Sequence, residues 1–329
     1  MTIEIIFQLI WSASVIWIAA SWLVKASDKI AKVSGLGHLF VGSLFLAAAT
    51  SAPELFVDIE ATLRGSPDLA AGDLLGSSLV NLILFCILSL IYWTPTYTGF
   101  PKQTKSSAWL AALLTTEVGL FIYFESDLSF RGLGLPSVIM LITYLGGMRL
   151  IFTTDTSIQT GTNTRSNKKQ QQLIKPLLTY IAATVIIFFT SPFLVHSVES
   201  IASQTGLGNT FIGMSLLAVT TSFPELSSSL TAMRLGYLQL VAANIVGSNA
   251  INMMIFVAMD GFHKEGSLWS HLSKKNVIAA LFVILNMTLL ALPWPDSHNR
   301  FSPSPKTRLI IILVSSLSCY LILYFLQTN

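Results

Sequence analysis

Charge is what this sequence has least of. Of its 329 residues, 11% are Asp, Glu, Lys or Arg while 53% are hydrophobic, whereas soluble domains carry charge on roughly a quarter of their positions. With a mean hydropathy of +0.68, water is excluded as the main solvent, and no sizeable soluble domain is left over. Cysteine is almost missing. Cys86 and Cys319 lie within apolar runs, far from any metal-ligand spacing, which argues against a structural disulfide and a zinc site. No HExxH, GxGD or GxSG element falls within an apolar run, so an intramembrane protease has no motif to stand on and no enzyme is expected. A basic n-region is also lacking at the N-terminus. Lys25, Lys29 and Lys32 follow the first apolar run instead, so that run reads as a retained helix and not as a signal peptide.

Long apolar runs are what the chain does have. About 20 mostly apolar residues cross a hydrocarbon core of about 30 Å, and the hydropathy gives ten spans, at about 3–24, 36–63, 69–93, 106–125, 130–152, 174–197, 207–233, 240–260, 272–294 and 306–327. Counting the span ends with the connections they adjoin, fourteen Lys and Arg lie on the side of the odd-numbered connections and five on the side of the even-numbered ones. The positive-inside rule puts the richer side in the cytoplasm and both termini outside. Topology thus accounts for the net charge of +3, and no nucleic-acid partner is implied. The polar stretch 153–173, rich in Thr, Gln, Asn and Lys, reads as a cytoplasmic linker between two halves, 1–152 and 174–329.

The halves are copies. At an offset of 171 residues, GLGHLFVGSLFLAAATSAPEL (35–55) matches GLGNTFIGMSLLAVTTSFPEL (206–226), and LLGSSLVN (74–81) matches IVGSNAIN (245–252). Without a gap, 19 of the 47 positions from 35 to 81 equal their partners in 206–252. Five spans separate equivalent points, and five is odd, so the second copy is upside down relative to the first. Inverted repeats are the common build of secondary transporters, with the substrate site near the bilayer midplane at the repeat interface. A duplication kept only for packing would preserve apolar and small residues. Here the costliest polar ones are preserved too.

Glu54 and Glu225 hold equivalent places inside the second and seventh spans, where an ionisable side chain costs about 2.5–3.5 kcal/mol on insertion scales. Thr50 and Ser51 precede Glu54 by four and three residues, a spacing that shares one helix face, and Thr221, Ser222 and Glu225 repeat it. Pro53 and Pro224 stand just before the acids and lack an N–H, so each should kink its helix and free carbonyls near Ala49 and Thr220. Ser77 and Asn81, four apart, form a polar stripe on the third span, as Ser248 and Asn252 do on the eighth, with Gly76 and Gly247 permitting close helix approach. Alone, such Ser and Asn residues could be interhelical hydrogen-bonding glue. Beside two matched acids they complete an all-oxygen set of carboxylates, hydroxyls, amides and carbonyls, which suits hard cations such as Ca²⁺ and Na⁺ better than Mg²⁺, which dehydrates reluctantly.

TSAPEL with GSSLVN, and TSFPEL with GSNAIN, resemble the two alpha repeats of the cation/calcium exchanger superfamily, most closely its sodium/calcium exchanger branch of prokaryotic type. The resemblance implies an all-α membrane protein of ten transmembrane helices in two inverted five-helix repeats, and antiport of Ca²⁺ or a related cation for Na⁺ by alternating access. Glu54 and Glu225 would bind the divalent ion centrally. Thr50, Ser51, Ser77, Asn81, Thr221, Ser222, Ser248 and Asn252 would complete the ion positions, and carbonyls of Ala47 and Ala218 would join the sodium sites. The first and sixth spans would slide past the remaining bundle. Partners would be inorganic cations and the lipid bilayer, with no prosthetic group, no obligate protein partner, and a prokaryotic inner membrane as the location.

The match has departures. Ala49 and Thr220 stand where the family's Gly-Thr-Ser-x-Pro-Glu has glycine, and Ser78 stands where GSN is usual. No large cytoplasmic insert is present for calcium regulation of the eukaryotic exchanger type. The proton-coupled branch remains the alternative, with protonation of Glu54 or Glu225 replacing sodium. An aspartate would mark the potassium-dependent branch at the position of Asn252, so no potassium requirement is expected. Two further acids lie outside the matched set. Asp73, whose repeat partner is Asn244, is a candidate for attracting cations at an outer vestibule or for an ordinary helix-start acid. Glu117, paired with Thr288, is expected to make a local hydrogen bond.

Overall fold

Where apolar runs continue without proline, the chain forms long helices; where proline enters beside a polar pair, the helix breaks. The computed structural model describes residues 3–92, 102–126, 129–130, 133–153, 167–204, 211–264, 266–292 and 304–328. Helix α1 (Ile3–Ser34) is followed by a helical run made of α2 (Gly37–Phe40), a π-helical stretch Val41–Leu46 and α3 (Ala47–Thr50), then by α4 (Ala52–Leu63) and α5 (Pro67–Ile91). Next come α6 (Lys102–Tyr123), two strands of two residues each, β1 (Ser129–Phe130) and β2 (Leu133–Gly134), and α7 (Leu135–Thr153). The second part holds α8 (Asn167–Gln204), α9 (Phe211–Thr221), α10 (Phe223–Arg234), α11 (Leu238–Phe262), α12 (Lys275–Ala291) and α13 (Pro305–Thr328).

Seven described helices are long and apolar enough to cross a membrane, and the pair Gly37–Thr50 and Ala52–Leu63, bent by 44°, qualifies together as one more. The chain is therefore an all-α membrane protein, apart from the antiparallel β1–β2 pair. That pair occupies the start of the span expected at 130–152, whose helix begins at Leu135. Helix α8 begins at Asn167, inside the stretch expected as linker, while 154–166 lies outside the described residues. Helix α1 runs ten residues past the expected end of its span, carrying Lys25, Lys29 and Lys32 on helix and not in a loop.

Burial sorts the helices into centre and periphery. In α11 and α5, 83% and 72% of the apolar window is buried, against 22% in α1 and 33% in α8. Phe7, Leu145, Phe189 and Leu321 are exposed on the outer helices, the pattern of a protein whose apolar exterior meets lipid. Packing is doubled: α5 lies against α11, α6 against α12 and α1 against α8, while α5 also meets α9 as α11 meets the π-helical stretch.

Two details repeat between the halves. Helices α4 and α10 both end at a left-handed glycine, Gly65 (φ 77°) and Gly236 (φ 78°). Each end closes by a paired bond pattern, Ser66 N–H to Ala61 O and Gly65 N–H to Thr62 O in one half, Tyr237 N–H to Ala232 O and Gly236 N–H to Met233 O in the other. The small residues beside the polar stripes hold helices close, as expected: a Cβ on Gly247 would stand 2.3 Å from the Ser43 carbonyl oxygen, and one on Gly76 would stand 3.0 Å from Ala218 Cβ.

Candidate functional site

The site is built on two broken helices. Ser51 (φ −86°, ψ 8°) interrupts α3 and α4, and Ser222 (φ −77°, ψ 8°) interrupts α9 and α10. Pro53 and Pro224 sit in the first turn after each break, where a missing N–H costs the new helix nothing but leaves the Ala49 and Thr220 carbonyls without their i+4 donor. Glu54 and Glu225 occupy those same first turns, at the positive end of each helix dipole. Both are fully buried.

The break corrects one expectation. Thr50 and Ser51 do not share a continuous helix face with Glu54, because the helix ends between them. Ser51 instead donates its hydroxyl across the interface to Glu225 Oε1 at 3.1 Å, and Ser248 donates to the same oxygen at 3.3 Å. Glu54 has no such donors: both its carboxylate oxygens, the Ser222 hydroxyl and Glu225 Oε2 are buried without a hydrogen-bond partner.

The remaining expected side chains are also buried, and several of them meet across the two repeats. Thr50 Oγ1 lies 3.5 Å from Ser248 Oγ and 3.5 Å from Asn244 Oδ1. In the other half, Thr221 Oγ1 lies 3.1 Å from Ser77 Oγ and donates to Asp73 Oδ1 at 3.3 Å. The Ala47 carbonyl accepts the Ser51 N–H at 2.9 Å and the Thr50 hydroxyl at 3.2 Å. The Ala218 carbonyl accepts the Ser222 N–H at 3.2 Å and hydroxyls of Thr221 and Ser77 at 3.2 and 3.4 Å. Asn252 is fully buried with neither amide atom bonded, whereas Asn81 donates to Asn249 Oδ1 at 3.0 Å and keeps its own Oδ1 unpaired.

Asn249 is a residue the motif reading passed over. It also donates to the Ser78 carbonyl at 3.1 Å, and Ser78 is its own repeat partner. One asparagine therefore spans this contact between α5 and α11, and the Ser78 hydroxyl turns back to the Leu74 carbonyl of its own helix at 2.9 Å.

Two more acids join the pair. Asp58 and Asp73 are buried, and Glu54 has Glu225, Asp73 and Asp58 as its charged neighbours. Asp73 is thus part of the interior and not of an outer vestibule. Asp58 is four residues after Glu54 on α4, a spacing on one face that was open to a reader of the sequence. Among the described residues the one buried Lys or Arg is Arg308, and its guanidinium is turned to the Leu289 and Leu292 carbonyls. Glu117 is held elsewhere, accepting the Thr143 hydroxyl at 2.7 Å between α6 and α7, the local role expected of it.

No group of three or more His, Cys, Asp or Glu among the described residues is arranged to hold a metal ion. Any cation here must be met by paired carboxylates supplemented with hydroxyl, amide and carbonyl oxygens. That is the donor chemistry of hard alkali and alkaline-earth ions.

Comparison with known proteins points the same way. The family model described as sodium/calcium exchanger protein matches residues 4–153 and 175–328. The chain is 23% identical to the sodium/calcium exchanger MaX1 of Methanosarcina acetivorans, over 74% of this chain and 78% of that one. It is also 23% identical to the Ca(2+)/H(+) antiporter ChaA of Bacillus subtilis, over 73% of this chain and 70% of the relative. A solved structure of the sodium-calcium exchanger NCX_Mj, soaked with 10 mM Na⁺ and zero Ca²⁺, superimposes with a TM-score of 0.73 at 18% identity, covering 97% of this chain and 98% of the other.

Proposed function

The chain belongs to the sodium/calcium exchanger protein family, and from that premise we propose that it exchanges Ca²⁺, or a closely related cation, for Na⁺ across a membrane by alternating access. The observation that carries this reading is the meeting of the two helix breaks: Ser51 of one repeat bonds Glu225 of the other, beside a Glu54 that has no donor of its own. A site shared between two repeats opens to one side or the other when the repeats shift.

The architecture that fits is ten spans in two inverted five-helix halves, 1–152 and 174–329, joined by a cytoplasmic connection at 153–173, with both termini outside. The doubled packing of equivalent helices and the matched glycine ends of α4 and α10 support it. The peripheral pair α1 and α8, packed on each other, is the element suited to sliding past the buried core of α5 and α11. The location this implies is a prokaryotic inner membrane.

In this reading Glu54 and Glu225 hold the divalent ion. Thr50, Ser51, Ser77, Asn81, Thr221, Ser222, Ser248 and Asn252, with the Ala47 and Ala218 carbonyls, supply further oxygens. Once Ca²⁺ leaves, the same oxygens solvate Na⁺ ions without adding charge. Sharing of ligands makes the two ions exclude one another, and exclusion is what couples their fluxes. The transported ions are the only small molecules required, with no prosthetic group and no protein partner.

Uptake of ⁴⁵Ca²⁺ into sodium-loaded proteoliposomes tests this. Uptake should follow the sodium gradient in potassium-free medium and be competed by external sodium. Likeness to a Ca(2+)/H(+) antiporter gives proton coupling as the second reading. Uptake driven by a pH gradient and indifferent to sodium would establish that one instead.

A further inference from the structure

Asp58 and Asp73 exist in one half only. Their repeat partners are Ser229 and Asn244. At the Asp73 position the hydrogen bonds show that a charge is not needed for structure: Thr50 donates to Asn244 Oδ1 at 3.5 Å, and Thr221 donates to Asp73 Oδ1 at 3.3 Å. An amide oxygen therefore does for Thr50 what the carboxylate does for Thr221. What the amide cannot do is attract a cation.

Asp58 on α4 and Asp73 on α5 are both buried, on two helices that pack against each other. Asp58 is fully buried with neither oxygen bonded to a donor, and Asp73 Oδ2 is likewise buried without one. Burying a charge without a partner costs several kcal/mol, and among the described residues the one buried Lys or Arg, Arg308, is turned to the Leu289 and Leu292 carbonyls. With Glu54 and Glu225 this cluster counts four carboxyl groups, twice the number that match a single divalent ion.

We infer that Asp58 and Asp73 form a second position for a hard divalent cation of the Ca²⁺ class, adjoining the Glu54–Glu225 position through Thr221. Thr221 Oγ1 touches both Ser77 of the first position and Asp73 of the second, so occupancy of one is felt at the other. The donor set is two carboxylates and shared hydroxyl oxygen, and flexible Ca²⁺ coordination accommodates water for the rest. This inference rests on the exchanger reading for its ion, but not for its geometry.

Equilibrium binding of ⁴⁵Ca²⁺ to the purified full chain in sodium-free detergent solution tests it. Wild type should bind about two Ca²⁺ per chain, one for each carboxylate pair. Asp73→Asn and Asp58→Ser each recreate what the second half already carries, and each should lower the count by about one while leaving the remaining ion displaceable by sodium. Asp73→Asn guards against misfolding, since the isosteric amide still accepts the Thr221 hydroxyl. A wild-type count of one that neither variant changes would mean that the extra pair holds no divalent ion, as would a count of two that survives both. Absence of any sodium-displaceable Ca²⁺, in wild type and variants alike, would instead overturn the exchanger reading.

Discussion

Ser51 and Glu225, 174 positions apart in sequence, are joined by a 3.1 Å hydrogen bond in the middle of the protein. The reciprocal bond, from Ser222 to Glu54, is not made, and among the described residues no side chain donates to Glu54. The two repeats are therefore unequal at their centre. One acid is held by hydroxyls of the protein, and the other is not.

That inequality separates the two acids in experiment. Glu54→Gln and Glu225→Gln should each reduce sodium-driven ⁴⁵Ca²⁺ exchange to background. In ion-free detergent their stabilities should diverge, because Glu54→Gln replaces a buried carboxyl that no donor satisfies and should raise the melting temperature, whereas Glu225→Gln weakens the two bonds that hold Glu225. Near wild-type exchange by either variant would refute the assignment of the pair.

Gly247 is where a side chain has no room. A Cβ there would stand 2.3 Å from the Ser43 carbonyl oxygen and 2.6 Å from Ser43 Cα, both backbone atoms. Gly247→Ala should destabilise the protein by about 1–3 kcal/mol, the ordinary range for overpacking, and separate α11 from the π-helical stretch. Thermal denaturation in detergent measures it, and an unchanged melting temperature would show that the contact yields freely.

Asp260 ties α11 to the segment around β2. Its Oδ2 accepts the Gly134 N–H and the Ser137 hydroxyl, both at 2.6 Å, and its Oδ1 accepts the Leu268 N–H at 2.9 Å. Bonds to a charged acceptor contribute about 1.5–3 kcal/mol each. Asp260→Ala should cost about 3 kcal/mol or more of stability, while Ca²⁺ affinity per folded molecule stays unchanged. A selective loss of ion affinity would bring this carboxylate into the transport site.

Glu117→Gln should retain sodium-dependent calcium transport, since the amide oxygen still accepts the Thr143 hydroxyl. Altered ion dependence in the flux assay would overturn that local role.

Much is legible in the sequence. Pro53 and Pro224 announce the breaks because a missing N–H acts on the backbone within one turn, and the offset of 171 marks Glu54 and Glu225 as counterparts. Composition and hydropathy likewise determine a helical membrane protein, since every backbone polar group in lipid must be bonded within its own segment. Asp58 and Asn249 escaped, and Asp73 was assigned to an outer vestibule, because their partners are far away in the chain or unlike them in the other repeat. The sequence on its own determined the solvent, the helices, the breaks and the matched acids, all of which follow from interactions over a few residues or from direct repetition. Only the tertiary structure decided that Ser51 serves the opposite acid, that Asn249 spans α5 and α11, and that two unmatched aspartates join the central charge. Those outcomes depend on which side chains come to share one low-dielectric interior, and that is set by the packing of helices lying well over a hundred residues apart in the chain.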